Sequence, residues 1–183
     1  MKNNLEKIKE RIENELTCSA HNLDHVIRVH NMCISLSKYE DNVDVDILIP
    51  AALLHDIARV IESQDKSGVV DHAVLGASMA ESILSDLDYK EEEIEKIKHC
   101  IITHRYRSGN VPNTIEAKIL FDADKLDVIG SIGIARTFML AGQFGQTISK
   151  NTLNDNQILI CVFKTGSLKI GLPVCYIFIC ILV

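Results

Sequence analysis

The chain has 183 residues, 47% of them hydrophobic and 24% charged, and a formal net charge of −6. That length fits one domain able to bury a core without disulfides or a structural metal. The acidic balance disfavours non-specific binding to nucleic acid, which depends on Lys and Arg neutralising phosphates, but it leaves room for a local basic pocket around a small phosphorylated ligand.

Leu5, Ile8, Ile12 and Leu16 recur at three- and four-residue steps and predict a first amphipathic helix. Residues Met1 to Leu16 carry charge throughout and lack the apolar stretch of a secretory leader, so a reducing cytoplasm is the expected location. Asp24 is placed as the cap of a second helix, whose inner face carries His25, Val29, Met32, Cys33 and Leu36. A third is expected from about Asp46 to Ile57, with Pro50 kinking its early turns or marking its start. Asp71 reads as the cap of a fourth, in which Gly76, Ala77 and Ala80 let a neighbour approach closely. The acidic start Glu91-Glu92-Glu93 suits the N-terminus of a fifth, with Ile94, Ile97, Ile101 and His104 on one stripe. Ser108 to Asn113 reads as a loop and Thr114 as the cap of the next helix. Strand-like alternation is absent before residue 150, and the expected fold class is all-α.

After Gly145 the charge pattern stops, leaving only Lys150, Asp155, Lys164 and Lys169. Ile170 to Val183 is almost wholly apolar, yet its 14 residues fall short of the roughly 20 that a membrane-spanning helix needs. Its Ile, Val, Phe and Tyr content favours strand pairing. The chain therefore divides into a helical domain over residues 1–147 and an irregular or strand-prone tail over residues 148–183. Cys18, Cys33, Cys100, Cys161, Cys175 and Cys180 form no CxxC pair, so buried reduced thiols are expected.

The chemistry concentrates at Leu54-His55-Asp56-Ile57, read together with His25 upstream and Asp122-Ala123-Asp124-Lys125 downstream. A charge beside buried surface calls for a counter-charge or a metal. His25, His55, Asp56 and Asp124 would supply two imidazoles and two carboxylates from three helices, enough to hold a divalent ion while leaving positions open for water and substrate. Adjacent helical residues point about 100° apart, so His55 and Asp56 can share an ion only from a helix edge or its last turn, for which Ile57-Ala58-Arg59 is the candidate. Mixed nitrogen and oxygen donors suit Mn, Fe, Co, Ni or Zn better than Mg.

Asp24–Val29, Ala51–Arg59 and Lys118–Asp127 resemble the HD-domain superfamily of metal-dependent phosphohydrolases, and Asp71–Ala77 and Ile102–Arg107 resemble a small stand-alone branch of it. The similarity runs over roughly residues 20 to 146. It implies an HD-domain helical bundle, a bound divalent metal and hydrolysis of a phosphate ester or anhydride of a small molecule, a nucleotide first among them. It implies His25, His55, Asp56 and Asp124 as ligands, with Asp124 ahead of Asp122 because the last ligand sits in an Ala-Asp-basic-Leu context. Asp127 is expected behind a ligand imidazole or, like Asp122, on a solvated face. His72 and His104 would hold a second ion, contact substrate or sit in the core. His21, His30 and His99 are expected to be surface or structural.

Arg59, Arg105, Arg107 and Lys125 are the candidate phosphate binders, with surface ion pairing as the alternative. Asp56, Arg105 and Lys125 form the expected catalytic set around a metal-activated water. Members of the superfamily continue in charged amphipathic helix past the Gly142-to-Gly145 region, so the tail reads as a frameshifted or replaced ending. A small phosphorylated substrate is the expected partner, with no nucleic acid and no membrane, and the sequence is silent on oligomeric state. The rival readings are a non-catalytic HD-like domain that binds a nucleotide or a partner, and a protein tethered to a membrane by its tail.

Overall fold

The computed structural model describes residues 2–16, 23–105 and 109–143. His21, Arg107 and the whole tail from residue 148 lie outside the described residues. Eight helices and no strand occur among the described residues: α1 (Lys2–Glu15), α2 (Leu23–Ser37), α3 (Val45–Leu54), α4 (Arg59–Gln64), α5 (His72–Asp86), α6 (Glu91–Thr103), α7 (Ile115–Leu126) and α8 (Gly130–Gln143).

Local chemistry accounts for most of the helix starts. Asp71 accepts from the backbone N–H groups of Ala73 and Val74 at the head of α5, and Thr114 accepts from that of Ala117 at the head of α7. Glu93 reaches back to the Lys90 N–H at 2.8 Å, closing the first turn of α6. One expected cap is corrected. Asp24 lies inside the first turn of α2 and does not cap it, though a carboxylate there still suits the helix dipole. α3 begins at Val45 under an Asp44 cap, within one residue of the expected Asp46, and runs through Pro50. It also ends at Leu54, earlier than expected, and after a short turn Arg59 opens α4.

α3 is the hub. Seven of its ten residues are buried, and it packs against α1, α2, α6 and α7. A helix apolar on every side belongs at the centre, and α1 lays Ile8 and Ile12 on it as the periodicity foresaw. Around Leu48, Leu53 and Leu54 the core is completed by Ile94, Ile97, Ile101, Ile119 and Leu120.

The helix directions gather the chemistry at one end of the bundle. His25 lies in the first turn of α2, and His72 is the first residue of α5. His55, His104 and Asp127 are the C-caps of α3, α6 and α7. At the opposite end the Asp44 N–H donates to Glu116 Oε1 at 2.9 Å, tying the start of α3 to the start of α7. Just before α7 the Asn113 N–H donates to His99 Nε2 of α6 at 3.2 Å. His99 is structural, as expected.

The turn into α8 uses Gly130 at φ +75°, and Gly133 lies so close that an added Cβ would come within 2.1 Å of the Val128 carbonyl carbon and oxygen. At Gly76 an added Cβ would meet only His55, Ile57 and Ile101 atoms at 3.7 Å. Gly76→Ala should therefore be neutral or stabilise by up to about 1 kcal/mol through a less flexible unfolded chain. Gly133→Ala should cost about 1–3 kcal/mol by displacing backbone. Thermal denaturation of the two variants checks the contrast, and equal effects would contradict it.

Candidate metal centre

Four buried imidazoles stand at this end of the bundle, and each has its Nδ1 against an acceptor. His55 Nδ1 lies 2.8 Å from the Ala52 carbonyl, and His104 Nδ1 contacts the Ile101 carbonyl at 2.5 Å. Both acceptors sit three residues back, among the carbonyls that a helix end leaves without an intrahelical donor. His25 Nδ1 lies 2.8 Å from Asp127 Oδ2, and His72 Nδ1 lies 2.9 Å from Glu62 Oε2. At His25, His55 and His104 these partners assign the proton of the neutral ring to Nδ1 and leave Nε2 with a lone pair aimed at the centre, whereas His72 Nδ1 also has Arg59 Nη1 at 3.1 Å.

Asp56 joins the four rings into two groups. Its Oδ2 lies 3.5 Å from His25 Nε2 and 3.8 Å from His55 Nε2. Asp124 Oδ1 completes that side at 3.4 Å from His25 Nε2 and 4.0 Å from His55 Nε2, and the two Nε2 atoms are 3.4 Å apart. Asp56 Oδ1 faces the other way, 3.4 Å from His72 Nε2 and 3.7 Å from His104 Nε2, which are 3.2 Å from each other. His25–His55–Asp56 and Asp56–His72–His104 are each compact enough to hold a metal ion. Asp124 is the open member, its side chain 20% exposed, whereas Asp56 is buried.

Electrostatics bear the same mark. Burial alone would lower the His25 pKa, but Asp124, Asp127 and Asp56 outweigh it and push it up to about 10. Burial brings His55 down to about 4, and burial with the Arg59 charge brings His72 down to about 4. Asp56 and Asp124 stay well below the usual carboxylate range: despite burial, His55 and Arg59 hold the first ionised and Lys125 and His25 the second. A proton on His25 thus stands where a cation is called for. Nitrogen and carboxylate donors gathered in this way fit a divalent ion, and the carboxyl ends of α3, α6 and α7 add to the attraction.

The cations around the site are engaged. Arg59 Nη1 donates to Glu62 Oε2 at 2.5 Å, while its Nε is buried without a hydrogen-bond partner, 3.8 Å from Asp56 Oδ1. Arg105 Nη1 donates to Glu62 Oε1 at 2.8 Å and Asp71 Oδ2 at 3.1 Å. Lys125 Nζ is turned onto Asp124 Oδ2 and the His104 carbonyl, each at 2.8 Å. Asp127 and Asp122 are both buried, so neither lies on a solvated face. Asp127 also binds Arg28 and Arg136. Glu62, Arg28 and Arg136 are the residues that sequence reasoning missed. Their only sequence signals are spacing, Glu62 three residues after Arg59 and Arg28 three after His25. His30 lies away from this centre, against Asn31.

The family model described as HD domain matches residues 22–129. The chain is 32% identical over 146 residues to the uncharacterised protein YpgQ of Bacillus subtilis, covering 76% of this chain and 67% of that one. Among solved structures, a predicted HD superfamily hydrolase from an uncultured Thermotogales bacterium aligns with a TM-score of 0.59 at 31% identity, over 78% of this chain and 76% of that one. Bacillus subtilis YpgQ in complex with ADP aligns with a TM-score of 0.61 at 28% identity, over 80% and 72%. Among the described residues no helix is long and apolar enough to cross a membrane.

Ion uptake at this centre must displace the His25 proton, because His55 and His72 are already neutral at pH 7. Affinity should rise with pH toward about 10, near tenfold per unit for one released proton. Calorimetry in buffers of different ionisation heat counts that proton, and an affinity independent of pH would contradict the assignment. The raised pKa has a second consequence for the metal-free protein. Its contribution to stability should be complete below pH 6.5 and lost as pH rises through about 10, which thermal melts across that range will register.

Proposed function

The chain belongs to the HD-domain family, and from that premise we propose that it is a metal-dependent phosphohydrolase cleaving an ester or anhydride bond of a small phosphorylated molecule, a nucleotide first among them. The observation that carries this reading is the convergence of His25 Nε2, His55 Nε2 and Asp56 Oδ2 at the end of the bundle, with Asp124 Oδ1 3.4 Å from the first imidazole and 4.0 Å from the second. A bound divalent ion would supply Lewis acidity toward a phosphoryl oxygen and ionise a water near neutral pH. The mixed nitrogen and oxygen donors favour Mn, Fe, Co, Ni or Zn over Mg.

The chain's own residues hold the rest of the reaction. Lys125 grips Asp124 Oδ2, so that Oδ1 stays turned to the imidazoles. The buried Arg59 Nε–H beside Asp56 is a donor lacking an acceptor, and a phosphate oxygen is one. Arg105 stands at 24% exposure on carboxylates that a phosphate would have to replace. The ADP bound to YpgQ supports a nucleotide as ligand here. A second reading, with two ions, is favoured by one observation: Asp56 Oδ1 and the His72–His104 pair repeat the arrangement on its Oδ2 side.

A metal-supplemented screen against nucleotides, read by phosphate or pyrophosphate release, tests the activity. His55→Ala and Asp56→Ala should each abolish metal binding and turnover while leaving helical content intact, and wild-type turnover in either would end this reading. Arg105→Ala should lower kcat/KM by about 10²-fold without loss of metal, and a change within about twofold would make it a surface residue. Metal content decides the second reading: His104→Ala should fall from two ions per chain to one, whereas a single ion in the wild type would exclude it.

A further inference from the structure

Asp127 receives more than the His25 proton. Its Oδ2 takes His25 Nδ1–H at 2.8 Å, Arg28 Nη2 at 3.0 Å and Arg136 Nη1 at 2.5 Å, and its Oδ1 takes Arg28 Nε at 2.7 Å. The side chain is only 3% exposed. A carboxylate buried against a neutral ring would be costly and free to turn about its last bond, and either change would release the ring it holds. Arg28 removes that freedom by gripping both oxygens in a fork, which sets the plane of the carboxylate. Arg136 adds a donor to the same oxygen that His25 uses. The three partners come from α2 and α8, while Asp127 caps α7.

We propose that Arg28 and Arg136 are positioning residues for the metal centre: by clamping Asp127 they hold the His25 ring with Nε2 on the ion. This rests on the metal-centre reading above. It also makes α8, which carries none of the converging donors, part of the site through Arg136, delivered there by the tight Gly130–Gly133 turn.

Two other roles predict different results. If the guanidiniums merely join helices, their loss lowers stability and leaves metal affinity alone. If they act only as charges, removing a positive group near the site tightens cation binding. Clamping predicts weaker binding.

Mn²⁺ titrated calorimetrically into the metal-stripped full chain at fixed pH, alongside thermal melts without metal, separates these roles. Arg28→Met and Arg136→Met should each weaken Mn²⁺ binding by about tenfold or more, as expected when the partner behind a ligand imidazole is disturbed. Arg28→Lys should lose nearly as much, since one ammonium cannot fork two oxygens, while Arg136→Lys should stay within about threefold of wild type. Affinities of both Met variants within about twofold of wild type, or tighter, would overturn the proposal whatever their melting temperatures. Should a Met variant not fold, equal affinities of the two Lys variants would overturn it. A wild-type chain that takes up no Mn²⁺, like the His55→Ala control, would instead remove the metal centre itself.

Discussion

Everything at the working end of this bundle depends on how four imidazoles are held by their inner nitrogens. A histidine whose Nδ1–H is committed to an acceptor presents Nε2 as a lone pair, and here that happens by two routes. His55 and His104 use carbonyls of their own helices three residues back, groups that exist as acceptors only because the helix ends there. His25 uses a carboxylate from elsewhere in the chain, Asp127, and His72 Nδ1 lies between Glu62 and Arg59. The ends of α3 and α6 are therefore part of the chemistry. Because α3 stops at Leu54, His55 and Asp56 fall in a turn, which lets neighbouring side chains address the same ion as consecutive helical residues would not.

Such an arrangement is unfavourable in isolation. Lone pairs and carboxylates gathered in a buried space repel, and the site answers by keeping a proton on His25 and lining its flanks with Arg28, Arg59, Arg136 and Lys125. The apolar bundle absorbs the remaining cost. Leu53 and Leu54, fully buried, immediately precede His55, and Ile101 precedes His104 by three residues, so core packing on α3 and α6 fixes where both imidazoles emerge.

The flanking cations divide by what they grip. Lys125, Arg28 and Arg136 bind carboxylates that face the imidazoles, so their positive charge is used in holding donors. Arg59 and Arg105 bind Glu62 on the far side of Asp56, where the proposed function places the substrate phosphate. Glu62 lies on α4, a helix of six residues, which joins the end of the His55-Asp56 turn to the loop before α5. It orients His72 as well, and so couples the second group of donors to the basic side of the site.

The sequence by itself determined the helical class and the caps of α5 and α7. Periodicity of 3.6 is a local property, as are the caps at Asp71 and Thr114, and the series His25, His55, Asp56, Asp124 names residues that the fold brings to one end of the bundle. It carried α3 too far, to Ile57, whereas the helix starts within one residue of the expected Asp46 and ends at Leu54. It also left open whether Asp127 faces solvent, since that depends on α2 and α8 folding over the end of α7. Only the tertiary structure decided which oxygen of Asp56 faces which histidines, and that Glu62, Arg28 and Arg136 complete the site. The reason is physical: the contacts of those residues bridge between about 10 and 100 positions of chain, and no local pattern records a hydrogen bond whose partners are brought together by packing.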